Sequence, residues 1–315
     1  MGLNANQLLE IKLLLIKKKW YTKSFFNLFC EFIAGFQTDE EINLILKLSK
    51  DFLWIKYEKY LDYLKELLNK LYIEENYLSD KKTIIIAPLL NFSDNDINKV
   101  KSSNFLCYIS KSHEIQNLLI FKNKKQKILE SVYTFEKNKI LEEIYAINEI
   151  KLDYDESFYI KKIKNLEKDV LDDRLLILVD DFIGSGQTAQ EAIKFYSDVC
   201  GFKKENIRIL SFVIHNDGLK NIMNSGIKNE QIYYIYNIKK SISEGILEGK
   251  YSKKDLEVMK KIEEKLGLKE IEKLGYNQSE ALVTLIRTPN NTFPIFFKRK
   301  SFLTPPFPRW LYDNR

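Results

Sequence analysis

At 315 residues, 45% hydrophobic and 30% charged, the chain has the balance of a globular protein with room for one large core or two small ones, and not that of a disordered tail. A net charge of +6, from 50 Lys and Arg against 44 Asp and Glu, permits a nucleic-acid partner without requiring one. Three widely spaced cysteines, Cys30, Cys107 and Cys200, exclude a disulfide framework, lack metal-ligand spacing and suit reduced thiols in a cytoplasm.

The chain opens on helices. The apolar run Leu8 to Trp20 is broken by Glu10, Lys12 and Lys17 to Lys19. That fits an amphipathic helix and neither a signal core nor a membrane span, so a cytoplasmic location with no membrane partner is expected. Phe25, Phe29, Phe32 and Ile33 recur at helical spacing, with Gly35 as a stop. Thr38 followed by Glu41 is a capping box that opens the next helix, through Leu48. Asp51 to Tyr72, with Phe52, Ile55, Tyr60, Tyr63, Leu64, Leu67, Leu68 and Leu71, reads as one more helix. Its aromatic series Trp54, Tyr57, Tyr60 and Tyr63 suits helical core or a partner surface, the alternative being a ladder for stacked bases. Residues 1–80 are therefore expected to form a helical N-terminal extension, for docking or as a hood, ahead of an α/β core over 81–315.

Thr83 to Ala87, β-branched and closed by Pro88, is a short buried strand. The polar loop Asn91 to Asp94, a brief helix to about Ser102 and a second strand, Phe105 to Ile109, follow in the order that opens a parallel sheet. About 110–173 is a Lys- and Glu-rich insertion with helical periodicity, too long and patterned for a simple loop. Within it Lys122, Lys124, Lys125 and Lys127 offer charge to a polyphosphate or nucleic-acid backbone, or only a solvated helix face.

Leu175 to Val179 is an uninterrupted apolar run that passes into Asp180-Asp181-Phe182-Ile183-Gly184-Ser185-Gly186-Gln187-Thr188 and a helix-like segment to Tyr196. This is a buried parallel strand delivering its C-terminal edge to a ligand, the edge at which open α/β sheets bind. Two glycines permit positive φ, so the backbone N–H groups of Gly184 to Thr188 can curl round an anion at the start of a helix. A Walker A loop needs Lys where Gln187 stands, and a dinucleotide fingerprint puts glycines, not two acids, directly after the strand. The plainer alternative is a structural turn with solvated acids.

Beyond it, Ile207 to Ile214 is a strand ending in His215-Asn216-Asp217-Gly218, followed by a helix to about Ser225 and a strand at Ile232 to Tyr236. His215 stands at the ligand edge, although a lone histidine more often completes local hydrogen bonding. Residues 238–275 are helical and charged, with Gly245, Gly249, Gly267 and Gly275 as punctuation, and Ala281 to Ile286 reads as a last strand. In the turn that follows, Arg287 to Phe297, Asn290 and Asn291 present amide edges of the kind that read a base.

The ordered string from Leu175 to Thr188 resembles the PRPP (phosphoribosyl pyrophosphate) motif of type I phosphoribosyltransferases: apolar residues, two acids, two apolar residues, a small residue, Ser or Thr, Gly, any residue, Thr. The resemblance implies an α/β fold, a Rossmann-like parallel sheet of the type I phosphoribosyltransferase kind with an N-terminal helical extension, the insertion at about 110–173 and a C-terminal hood at about 276–315. It implies that Asp180 and Asp181 take the two ribose hydroxyls and serve catalysis, that Gly184, Ser185, Gly186, Gln187 and Thr188 hold the 5′-phosphate, and that Asn91, Ser93 and Asp94 lie in the pyrophosphate loop. Mg²⁺ is the implied cofactor, with Asp180 and Asp181 acting on it only indirectly, and Asn290 and Asn291 are candidates for the base. The loop at 88–94 lacks the glycine and basic residue usual in the family.

Downstream, Thr288-Pro289-Asn290-Asn291-Thr292-Phe293-Pro294-Ile295-Phe296-Phe297 is similar to a narrower group of phosphoribosyltransferase-like proteins of bacterial phage-defence loci, including retron effectors. That resemblance implies a retron reverse transcriptase, its RNA–DNA hybrid (msDNA) and a small winged-helix protein as partners. Two functions stay open: a toxic effector that turns over PRPP or a nucleotide, and an inactive binding protein that senses a nucleotide while docked on a reverse transcriptase or nucleic acid.

Overall fold

The computed structural model describes residues 3–74, 83–89, 174–199 and 201–308. The expected strand 105–109, the helix before it, the insertion 110–173, the loop residues Asn91, Ser93 and Asp94, and Cys107 and Cys200 lie outside them. The chain divides into two compact units, Met1–Tyr57 with Ile238–Arg315, and Glu58–Asn237. One break falls after Tyr57 and the other before Ile238, and the N- and C-terminal segments share a unit.

The chain begins with α1 (Ala5–Lys17), α2 (Lys23–Ala34) and α3 (Asp39–Asp51). Each starts where a side chain satisfies an orphan N–H: Asn4 with Gln7, Thr22 with Phe25, and Thr38 with Glu41 as the sequence predicts. Gly35 is the C-cap of α2. The helix expected from Asp51 does not form there. Phe52 takes an extended backbone, and β1 (Leu53–Trp54) pairs in parallel with β6 (Val283–Thr284), Leu53 N–H donating to Leu282 at 2.8 Å. A pairing across some 230 residues leaves no periodic trace, so helical spacing was misleading at this point.

Then come α4 (Tyr60–Glu74), β2 (Thr83–Pro88), β3 (Arg174–Ile183), α5 (Gln187–Lys194), β4 (Ile207–His215), α6 (Asn216–Asn224) and β5 (Ile232–Ile238). They form the second unit, an α/β fold of the Rossmann-like kind with sheet order β2-β3-β4-β5. β3 is central and parallel to both neighbours, Ile85 level with Leu176 on one side and Leu178 level with Ile209 on the other. Leu176, Leu178, Ile207 and Ile209 share a core with Ala189, Ala192 and Ile193 of α5 and Ile222 of α6. The opposite face is covered by α4: Tyr60 and Tyr63 set their rings edge-on to Phe212, at 4.8 and 5.8 Å between centroids, and the Tyr63 and Tyr236 hydroxyls bond at 2.9 Å. The aromatic series is thus divided, with Trp54 in one unit and Tyr60 and Tyr63 in the other.

The first unit closes with α7 (Ser241–Leu247), α8 (Lys253–Lys265) and β6, which is only two residues of the six expected as strand. Its core is aromatic: Phe52 stacks on Phe307 at 4.8 Å and meets Phe296 at 4.6 Å, while Trp20 packs edge-on to Phe52 and Phe307. Gly245 is not punctuation but lies inside α7, where a Cβ would stand 2.4 Å from the Tyr251 ring. Between Leu274 and Glu280 five residues take positive φ, Leu274, Gly275, Asn277, Gln278 and Glu280. Two buried carboxylates hold this strained segment. Glu263 accepts the Leu274 N–H with both oxygens, at 3.1 and 2.8 Å, and Glu280 accepts from Ile242 and Ser243 N–H at the start of α7, at 2.8 and 2.7 Å.

Candidate functional site

The five apolar residues Leu175 to Val179 are wholly buried in the middle of the sheet, which is why β3 tolerates no polar alternation there. The strand does not end at the acids; it continues through Asp180 and Asp181 to Ile183. Successive strand side chains ordinarily point to opposite faces, yet here the two carboxyls stay within hydrogen-bonding reach of each other. Asp180 pairs with Ser211 and Phe182 with Val213, which sets Asp181 level with Phe212 on the face that α4 covers. There Asp181 is 4% exposed and the Tyr60 hydroxyl, itself 1% exposed, donates to its Oδ2 at 2.8 Å. Asp180 is half-buried, and its Oδ1 accepts the Asp181 N–H at 2.9 Å.

Burial, and then the charge of Asp181, push the Asp180 carboxyl well above the usual carboxylate range. Burial also raises Asp181, against the pull of the Tyr60 hydrogen bond. Carboxylates starved of water gain from hydroxyl donors, the groups a sugar presents.

From Ile183 the chain turns through Gly184, Ser185 and Gly186 into α5. Gly186 is the N-cap with φ +79° and has no side chain of its own to close the first turn, and the Gln187 N–H donates to Ser185 Oγ at 3.5 Å. The turn is held from behind by α6. A Cβ on Gly218 would stand 2.4 Å from the Gly184 carbonyl oxygen, and one on Gly186 would stand 2.9 Å from Gly218. Asn221 Nδ2 donates to the Ser185 carbonyl at 2.8 Å, and Gln190 Nε2 donates to the Asn221 carbonyl at 2.9 Å. The Gln187 side chain is exposed and turned along the helix to Glu191 at 3.0 Å, and Thr188 is half-buried in the first turn.

Acid pair and glycine turn therefore follow each other closely, on one strand and the helix it feeds. His215 is fully buried and caps α6, its Nδ1 accepting the Asp217 N–H at 3.1 Å, the local role expected of a lone histidine. Asn290 and Asn291 lie in the other unit. Asn291 is buried with its amide donating to the Tyr276 carbonyl at 3.4 Å, while Asn290 is exposed and its carbonyl accepts the Tyr276 N–H. Of the two, only Asn290 presents its side chain to solvent. Cys30 is half-buried and burial pushes its thiol up, which makes it a poor nucleophile.

Three residues of the site escaped sequence reasoning: Tyr60, Gly218 and Asn221. Gly218 carried a signal, since glycine in the first turn of a helix is unfavourable unless something needs the space. Periodicity cannot show that Tyr60 meets an acid 121 residues later. A Mg²⁺ ion takes hard oxygen ligands in an octahedron, and among the described residues no group of three His, Cys, Asp or Glu gathers for one. Asp180 supplies a suitable oxygen, so an ion fits here only if phosphate oxygens and water provide most of its shell.

The family model described as PRTase-CE matches residues 29–309. Among solved structures the chain is similar to a crystal structure of the APRTase of Giardia lamblia complexed with 9-deazaadenine. The identity is 26%, over 23% of this chain and 39% of that one, with a TM-score of 0.19. The match thus spans well under half the length of that protein. No curated protein matches the chain. Among the described residues no helix is long and apolar enough to cross a membrane.

Proposed function

We propose that this chain, which belongs to the PRTase-CE family and is a type I phosphoribosyltransferase-like protein, binds PRPP or a related nucleotide and turns it over as the toxic effector of an anti-phage retron system. One observation carries the reading: a carboxylate pair near the C-terminal end of the central parallel strand, which closes at Ile183, is followed within one short turn by a glycine-capped helix start. That contiguity matches a sugar phosphate, with hydroxyls for the acids and an anion for the turn. The 5′-phosphate would lie on the N–H groups of Gly184 to Thr188, and ribose hydroxyls would donate to the acid pair.

Leaving of pyrophosphate from C1 makes the sugar cation-like, a nearby carboxylate stabilises that charge electrostatically, and a nucleophile, either water or an acceptor, bonds to C1 in its place and gives up its proton. Mg²⁺, when bound, would offset the charge on the departing pyrophosphate. Everything else asked of the chain is positioning. The defence setting and the partners, a retron reverse transcriptase, its RNA–DNA hybrid and a winged-helix protein, rest on the string Thr288 to Phe297. The rival reading, an inactive nucleotide sensor docked on such a partner, is favoured by the missing glycine and basic residue at 88–94.

Isotope-labelled PRPP with and without Mg²⁺ tests the ligand. Saturable binding that Asp180→Asn with Asp181→Asn abolishes is expected, and no binding by the wild type at millimolar PRPP would sink the assignment. Release of labelled pyrophosphate decides between the two functions: turnover by the wild type that the double variant loses supports the enzyme, and saturable binding with no release supports the sensor.

A further inference from the structure

We infer that the two acids divide their work: Asp180 is the acid that meets the ligand, and Asp181 is a positioning residue clamped by Tyr60 of α4. The inference rests on the phosphoribosyl reading for what Asp180 meets, and departs from the expectation that both acids take ribose hydroxyls.

Four observations carry it. Asp181 lies under α4, where Tyr60 bonds it, and its carboxyl is within hydrogen-bonding reach of the Asp180 carboxyl. Asp181 is closed off at 4% exposure, whereas Asp180 retains open surface. The Tyr60 hydroxyl occupies Oδ2 of Asp181 at 2.8 Å with no solvent path of its own. Lastly, the Asp181 N–H donates to Oδ1 of Asp180 at 2.9 Å, so whatever fixes Asp181 also fixes the orientation of its neighbour.

The clamp has a firm seat. The ring of Tyr60 stands edge-on to Phe212 at 4.8 Å, and one turn along the helix Tyr63 packs on the same Phe212 and bonds Tyr236. A carboxylate buried under a helix without a donor would be costly. With the phenol in place it becomes a strut between α4 and the end of β3. Tyr60 therefore acts on the ligand at two removes, through Asp181 and then Asp180, without touching it.

Sugar selectivity separates contact from positioning. Dissociation constants are measured for ribose 5-phosphate and its 2-deoxy and 3-deoxy analogues, with PRPP alongside, on the full chain and on Asp180→Asn, Asp181→Asn, Tyr60→Phe and Tyr63→Phe. The wild type should prefer the full sugar over at least one analogue by about 10- to 100-fold, and Asp180→Asn should bring that ratio close to one. Asp181→Asn and Tyr60→Phe should weaken all sugars alike and keep the ratio. Their unfolding midpoints should fall, with the double variant no lower than the worse single one. Tyr63→Phe should leave the sugar affinities unchanged.

If Asp181→Asn collapses the ratio while Asp180→Asn keeps it, or if both collapse it, the division is wrong. If Tyr60→Phe and Asp181→Asn lower the midpoint additively, the clamp is wrong. A wild type that binds none of these sugars removes the role given to Asp180 together with the proposed function, while the unfolding cycle still decides the clamp without any ligand.

Discussion

Glu263 and Glu280 in the helical unit, and Asp180 and Asp181 in the sheet unit, are all carboxylates taken largely out of water. Their surroundings differ. The glutamates are closed by backbone N–H groups at turns, Leu274 for one, Ile242 and Ser243 for the other. They are spent on holding the chain in shape. Of the aspartates, one is closed by a phenol and the other, at the C-terminal end of a central strand, keeps open surface beside a helix start. Burial alone does not mark a binding site; a buried acid becomes one when its oxygens are left for something outside the fold.

If the strained segment of the helical unit is truly held by its glutamates, its geometry should be intolerant. Gly275 has φ +77°, and a Cβ there would stand 2.1 Å from the Asn291 carbonyl oxygen. Gly275→Ala should therefore destabilise by about 3–4 kcal/mol, read as a drop in the urea midpoint. A change within a few tenths would show that the segment adapts and that the glutamates hold nothing.

A smaller effect tests the acid itself. Burial pushes the Glu263 carboxyl up to about 7 from an ordinary value of 4.5, with the Leu274 N–H and the Lys273 charge opposing. Between those two values the folded chain keeps a proton that the unfolded chain has lost, so stability falls as pH rises through the window. The whole loss is at most about 3 kcal/mol. Glu263→Gln should flatten that part of the pH profile relative to wild type, and identical profiles would remove Glu263 from the account. Asp180 and Asp181, also raised, act in the same direction and are present in both proteins.

The smallest effect is at α3, where Glu41 accepts from Gln37 and Thr38 N–H and from Lys265. Thr38→Ala removes the reciprocal half of the capping box, and about 1 kcal/mol should be lost, measured by thermal unfolding. A loss near 3 kcal/mol would mean that the cap also holds α8 through Lys265.

Much of the sheet unit could be read beforehand because its signals are local. An apolar run, two acids and two glycines in order fix strand, edge and turn, and Ile207 to His215 announces β4 by composition. What could not be read is whatever joins distant segments: the pairing of Leu53 with Val283, the hydroxyl of Tyr60 on Asp181, and Gly218 behind Gly184. For the same reason the division at Tyr57 was invisible, since the helical spacing of Phe52, Ile55 and Tyr60 runs smoothly through it. Asn291 looked available because its amide was seen without the Tyr276 carbonyl that takes it.

The helical unit is made from both ends of the chain, Met1–Tyr57 and Ile238–Arg315, and this has a consequence during synthesis. Trp20, Phe52 and Trp54 leave the ribosome about 240 to 290 residues before Phe296 and Phe307, the rings that cover them. At about 5–20 residues per second that is a delay of roughly 10–60 s. We expect the nascent N-terminal helices to be open to protease until the last segment emerges, which limited proteolysis of ribosome-arrested chains of increasing length would show. Protection appearing well before residue 296 has cleared the exit tunnel would mean that the helices find cover elsewhere. A protein whose first helices wait for Phe296 and Phe307 completes that unit only after the whole sheet unit has been synthesised between them.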